Sequence, residues 1–249
     1  MRISYPLQHR WLKELSGEIL GNYGTGAQKQ LRSSLGKLAD AHIRYTVEPL
    51  TPAHIEWFSP FYAANLADKN NAIVHDVYDT TLGKQLENTY FILTTWEYDE
   101  PRGAVILARR PDRIATVYRA FERNWQYSKL RSNPALLSEY FLDSYAHECG
   151  YSTLSHGKDR NPYGPNAAIG LATFKLAIGC RPYCYESQTE MAELDTSTVT
   201  EDTLVLEAPT EGTPITTAYL IAHRETLSKY EQVAKYPERL RVTVIERTS

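Results

Sequence analysis

Lys175 is a charged residue set among apolar ones. In AIGLATFKLAIG, residues Leu171, Phe174 and Ile178 define one face of a helix, and Lys175 lies beside that face rather than opposite it. Two readings stay open. The side chain can snorkel to water, or its ammonium can steady a developing oxyanion, bind a phosphate or act with a depressed pKa. Ahead of it, His156 and Asp159 fall in a polar loop after the strand YSTLSH. A histidine with an acid three residues on can form an orienting pair for proton transfer. The plainer reading is a structural histidine, with Asp159 paired to Lys158, Arg160 or Lys175. Asn161, Tyr163 and Asn166 sit in NPYGPN, where they either bind a polar acceptor or serve the turn itself. A second group surrounds the start of a helix at Pro134. Lys129 and Arg131 precede it, and Ser132, Asn133 and Ala135 carry backbone N–H groups at its positive end. That combination suits a phosphate, and it equally describes an ordinary capped helix with solvated basic neighbours.

The elements around these groups follow from periodicity and punctuation. QHRWLKELSGEIL (8–20) has helical spacing, and a second helix is expected over 27–40; GNYGTG between them reads as a connector, not a phosphate loop. HIRYTVE alternates as a strand, and Thr51-Pro52 open an aromatic helix kinked at Pro60. A short polar helix is expected within 76–88. Three strands at 90–98, 103–110 and 114–122 are joined by short turns and predict an antiparallel meander. The helix from Pro134 ends at Gly150; YSTLSH, the polar loop and the Lys175 helix follow. Beyond Pro182 come a strand near 183–187, a Thr/Glu-rich loop, strands near 203–208 and 217–223, a helix over 224–235 and a last strand over 240–246.

The 249 residues carry 27 Lys+Arg against 30 Asp+Glu, a net charge of −3, so no global basic field argues for nucleic acid. The three cysteines, Cys149, Cys180 and Cys184, argue against a disulfide framework and for a reducing compartment. No histidine is placed by the sequence to complete a zinc site with the latter two, and no metal is expected. The N-terminal residues lack a signal-peptide apolar run, and no stretch is long enough to span a membrane. A cytoplasmic location is the expectation.

The element order resembles the GNAT acyltransferase superfamily, whose mixed sheet splays between its fourth and fifth strands to hold an acyl-CoA. Locally, ECGYSTLSHGKDRNPYGPNAAIGLATFKLAIGCRP resembles the Fem-type and related GNAT-like branch through Gly150, Asp159, Phe174-Lys175, Gly179 and Pro182. Two departures accompany the resemblance. SKLRSNPAL stands where ordinary members carry a glycine-rich pyrophosphate turn, and Lys175 stands where many place a tyrosine.

The resemblance implies an α/β (α+β) GNAT-like core over 42–210, with a mixed, mostly antiparallel sheet flanked by helices. An N-terminal helical addition (1–41) and a C-terminal strand–helix–strand extension (211–249) complete it. It implies an enzyme that moves an acyl group from acyl-CoA, acetyl-CoA first, to an amine of a small molecule or peptide. Glu122, at the end of the third meander strand, takes the position of a base, beside Lys175, His156 and Asp159. Lys129, Arg131, Ser132, Asn133 and Ala135 would hold the donor, and Asn161, Tyr163 and Asn166 the acceptor. Two alternatives stay open: a Fem-type ligase using aminoacyl-tRNA, with tRNA as partner, and a non-catalytic binding member of the fold. No membrane partner is expected, and pairing of two copies through the C-terminal strands is one way to complete the sheet.

Overall fold

The structure is a computed structural model and describes residues 1–67, 74–83, 89–122, 130, 132–184, 190–209 and 213–247. The chain opens with β1 (Arg2–Pro6), β2 (Gln8–Glu14), a 3-10 turn (Ile19–Asn22), α1 (Thr25–Leu35), β3 (Ile43–Pro49), α2 (Pro52–Leu66) and α3 (Val77–Thr80). Next come β4 (Thr89–Glu97), β5 (Glu100–Arg109), β6 (Ile114–Phe121), α4 (Pro134–Glu148), β7 (Thr153–Arg160) and α5 (Ile169–Ala177). It closes with β8 (Arg181–Cys184), β9 (Met191–Asp195), β10 (Thr203–Leu206), β11 (Thr217–His223), α6 (Leu227–Tyr230) and β12 (Arg241–Arg247). Two compact units result: Glu14–Ser155, and Met1–Lys13 together with His156–Ser249. Residues 14–41 thus belong to the first unit, and residues 1–13 share the second with 211–247.

In the Glu14–Ser155 unit, β4, β5 and β6 form the expected antiparallel meander, and β3 adds to it by pairing antiparallel with β4. Ala104 to Ala108 in β5 are all buried, so this strand is covered on both faces and reads as an unbroken apolar run. Ile92, Ala104, Ile106 and Ala120 pack with Ile55, Phe58 and Tyr62 of α2. Thr51 caps α2 by accepting the N–H of His54, with Pro52 at the first helical position. On α4, Phe141 stacks on Tyr45 of β3, and Ser138 bonds Thr95 of β4 at 2.7 Å. β6 skips register against β5, Ile106 facing Tyr118 and Leu107 facing Thr116, so Val117 bulges out. β6 pairs with β7 in parallel only at Ile114–Leu154 and Ala115–Ser155.

In the other unit, β2 pairs antiparallel with β8, His9 facing Cys184 and Trp11 facing Pro182, and β7 lies on the far side of β2. β1 pairs with β9, and β10, β11 and β12 form a separate sheet in which β11 and β12 run parallel. Ile3, Tyr5, Val205 and Ile221 form one apolar cluster here, and Ile169, Ala172 and Leu176 bury the inner face of α5.

Four local expectations are corrected. Residues 8–14 are a strand, not a helix: His9, Trp11 and Lys13 are all buried, a period of two that the polar His9 and Lys13 conceal in the sequence. β7 runs on through Gly157 to Arg160, so His156 and Asp159 are strand residues; Gly157 at φ 80° interrupts the pleat without ending the strand. The Thr/Glu-rich segment holds β9, recruited by pairing with β1. The last helix shrinks to α6 and a 3-10 stretch over Glu231–Lys235.

Candidate functional site

The Met1–Lys13/His156–Ser249 unit encloses a connected polar cluster. β2 contributes His9 and Trp11 from its buried side, β7 contributes Asp159 and the carbonyl of His156, and α5 contributes Lys175 from its last turn. Tyr163 comes from the turn after β7. Its backbone exchanges two hydrogen bonds with Leu204, at 2.8 and 3.0 Å, which fixes the turn to β10. The next residue, Gly164, has φ 106°, and an added Cβ would collide with the Asp202 carbonyl oxygen, so only glycine fits.

Lys175 Nζ donates to Asp159 Oδ2 at 2.8 Å and to the His156 carbonyl at 3.2 Å. It also lies 5.7 Å from the centre of the Trp11 ring. The Tyr163 hydroxyl donates to the same Asp159 oxygen at 2.7 Å. It accepts from Trp11 Nε1 at 2.8 Å and lies 2.8 Å from His9 Nε2. Lys175 is 8% exposed, and Tyr163, His9 and Trp11 are fully buried.

Burial and charge set the protonation of the cluster. Desolvation pushes His9 down to about 3; the Asp159 charge resists this and the Lys175 charge adds to it. Burial works to raise Asp159, but the Lys175 ammonium and hydrogen bonds from Lys175 and Tyr163 outweigh it and hold the carboxyl below its usual value. Burial and the Asp159 charge lift Tyr163 well above the ordinary phenol range. At neutral pH the cluster therefore holds a carboxylate, a phenol and a neutral imidazole beside the Lys175 amine. A buried ion pair of this kind can polarise a carbonyl oxygen or steady an oxyanion.

Of the residues singled out in the sequence, Lys175, Asp159, Tyr163 and the backbone of His156 meet here. The Asn161 side chain does not face outward to a ligand: it is buried and clamps both the N–H and the carbonyl of Leu206, at 3.1 and 2.8 Å. Asn166 is exposed and donates to the Pro162 carbonyl, closing the same turn. Glu122, Ser132, Asn133 and Ala135 belong to the Glu14–Ser155 unit. There Glu122 pairs with Arg102 at 2.8 Å, which also meets Glu97 and Glu100. Ser132 is buried and tied to Ser34 through its N–H and its hydroxyl. Asn133 caps α4 by accepting the Leu136 N–H at 2.8 Å. Ala135 lies in the first turn, where backbone N–H groups lack a helical acceptor. Lys129 and Arg131 lie outside the described residues. His9 and Trp11 are missed by the helical reading of 8–20, because the inward positions of β2 beside Trp11 are the polar His9 and Lys13. Among the described residues no group of three or more His, Cys, Asp or Glu is arranged to hold a metal ion, and no helix is long and apolar enough to cross a membrane.

No protein-family model matches the sequence, and no curated protein matches it. Solved structures do. FemX superposes with a TM-score of 0.51 at 11% identity, over 72% of this chain and 60% of FemX. A conserved protein of unknown function from Bacteroides thetaiotaomicron gives a TM-score of 0.50 at 11% identity, over 78% of this chain and 61% of that one. A GCN5-related N-acetyltransferase from Anabaena variabilis gives 0.39 at 13% identity, over 64% of this chain and 35% of that one. This chain thus spans about three fifths of the length of the first two. The likeness is one of fold: the chain shares with FemX a GNAT-like mixed sheet with an antiparallel meander and flanking helices.

Proposed function

We propose that this protein transfers an acyl group to an amine. The observation that carries the reading is the Lys175–Asp159 pair, kept inside the protein where two charges are costly to desolvate. Transfer to an amine asks for a polarised donor carbonyl, a stabilised oxyanion and an acid for the leaving group. In this reading the Lys175 ammonium meets the oxyanion, Asp159 orients it, and Tyr163 orients Asp159. Within the Glu14–Ser155 unit, the first turn of α4, with Ala135, has N–H groups of the kind that bind phosphates.

An acyl-CoA is the donor we propose first, with a small molecule or peptide as acceptor. The likeness to FemX favours a second donor class, an aminoacyl group carried on tRNA, with the same roles for Lys175 and Asp159. Hydroxylamine serves as a general amine acceptor for either donor. The expected result is hydroxamate formed from acetyl-CoA or from aminoacyl-tRNA, with kcat reduced about a hundredfold or more in Lys175→Ala. If neither donor yields hydroxamate above the rate without protein, the proposal fails.

A further inference from the structure

Hydrogen-bond capacity decides which group gives each proton in the cluster. A tyrosine hydroxyl has one proton and room to accept two bonds. Asp159 is held as a carboxylate and only accepts, so the Tyr163 proton lies on the 2.7 Å bond to Asp159 Oδ2. The Trp11 indole only donates, and it takes one lone pair at 2.8 Å. The remaining contact, His9 Nε2 to the Tyr163 oxygen at 2.8 Å, must then run from N–H to oxygen. His9 carries its proton on Nε2, and Nδ1 holds the lone pair. That Nδ1 is buried and has no hydrogen-bond partner among the described residues. Nothing described on that side competes for the tautomer, so Tyr163 alone selects it.

We propose that His9 and Tyr163 are positioning residues for the Lys175–Asp159 pair. The N–H groups of His9 and Trp11 fill both lone pairs of the Tyr163 hydroxyl and commit its one proton to Asp159 Oδ2. The carboxylate is thereby fixed in the orientation that also receives Lys175 Nζ. This rests on the reading of that pair as the group serving transfer. The other charged or titratable neighbours act on different members of the cluster: Cys180 on Tyr163, and His156, through its carbonyl, on Lys175. Without a donor at position 9 the hydroxyl regains a free lone pair and can turn, Asp159 loses its second donor, and the Lys175 ammonium loosens.

The test compares His9→Gln, which keeps a side-chain N–H near the Nε2 position, with His9→Met, which keeps bulk and has no donor. In the full-length wild type labelled with 15N-histidine, His9 is expected to show a pyrrole-type Nε2 and a pyridine-type Nδ1 at neutral pH. A proton on Nδ1, or rapid averaging of the two forms, overturns the proposal. In the hydroxylamine assay with acetyl-CoA or aminoacyl-tRNA, His9→Met is expected to lose about tenfold or more in kcat with KM unchanged, and His9→Gln to recover most of it. Equal losses in both variants, or a loss in neither, overturn it. If the wild type forms no hydroxamate with either donor, the transfer reading fails, and the Lys175 side-chain ammonium resonance decides the positioning role. That signal is expected to be protected from exchange in wild type and His9→Gln and broadened in His9→Met; the same signal in both variants refutes it.

Discussion

Acidification from about pH 6.5 to about 4.5 will weaken the fold through His9, and the size of the effect follows from where its proton can go. In the unfolded chain the imidazole takes up a proton near 6.5, whereas burial in the fold holds it to about 3. Between those values the unfolded state binds the extra proton, so stability is complete above the unfolded value and falls as the pH drops. Each pH unit inside the window is worth about 1.4 kcal/mol, so this acidification removes roughly 2–3 kcal/mol. Asp159 is shifted in the same direction from 3.8, so its own contribution is lost only at lower pH and does not enter this window. His9→Gln removes the titration while preserving a donor to Tyr163. Urea unfolding of both proteins at the two pH values gives the comparison: the wild type should lose the stated amount beyond whatever His9→Gln loses. Parallel losses in the two proteins would refute the argument that His9 is buried as a neutral ring.

Lys175→Met leaves the Asp159 charge buried without its counterion and is expected to cost about 3–5 kcal/mol in urea unfolding, with part recovered in Lys175→Met/Asp159→Leu. Asn161→Ala removes both bonds to Leu206 and should cost roughly 2–3 kcal/mol by the same assay. Gly164→Ala puts a methyl group against the Asp202 carbonyl at a backbone angle that side chains avoid. It should cost about 1–3 kcal/mol and lower the melting temperature.

Much of the fold could be read from the chain because local chemistry and tertiary demand agree in the Glu14–Ser155 unit. β5 has an unbroken apolar run, β4 and β6 are rich in apolar and β-branched residues, and turn residues lie between the three. Asn133, Pro134 and Gly150 bound α4 as their backbone preferences dictate. Legibility fails where a polar side chain is buried. His9 and Lys13 occupy inward positions of β2, and a pattern drawn from apolar letters alone cannot count them. The same fault hid part of the site. Lys175 was found because it interrupts an apolar helix face, and Asp159 because it neighbours a histidine. His9 and Trp11 meet them only through pairing of distant strands. Asn161 illustrates the opposite error: its amide has the inventory to bind a ligand, and tertiary structure uses that inventory on the backbone of β10 instead.

The division of the chain carries a consequence for its biosynthesis. Residues 1–13 are translated long before the strands they pair with, β8 and β9. His9 and Tyr163 alone are separated by 154 positions. The Glu14–Ser155 stretch can collapse while translation continues, whereas β1 and β2 must wait, unpaired with those strands, until β8 and β9 have emerged. Those opening residues, rich in strand-forming side chains, are therefore the segment most in need of protection on the nascent chain. Pulse-labelled, stalled ribosome complexes should show it cleaved by protease well after the central stretch has become resistant.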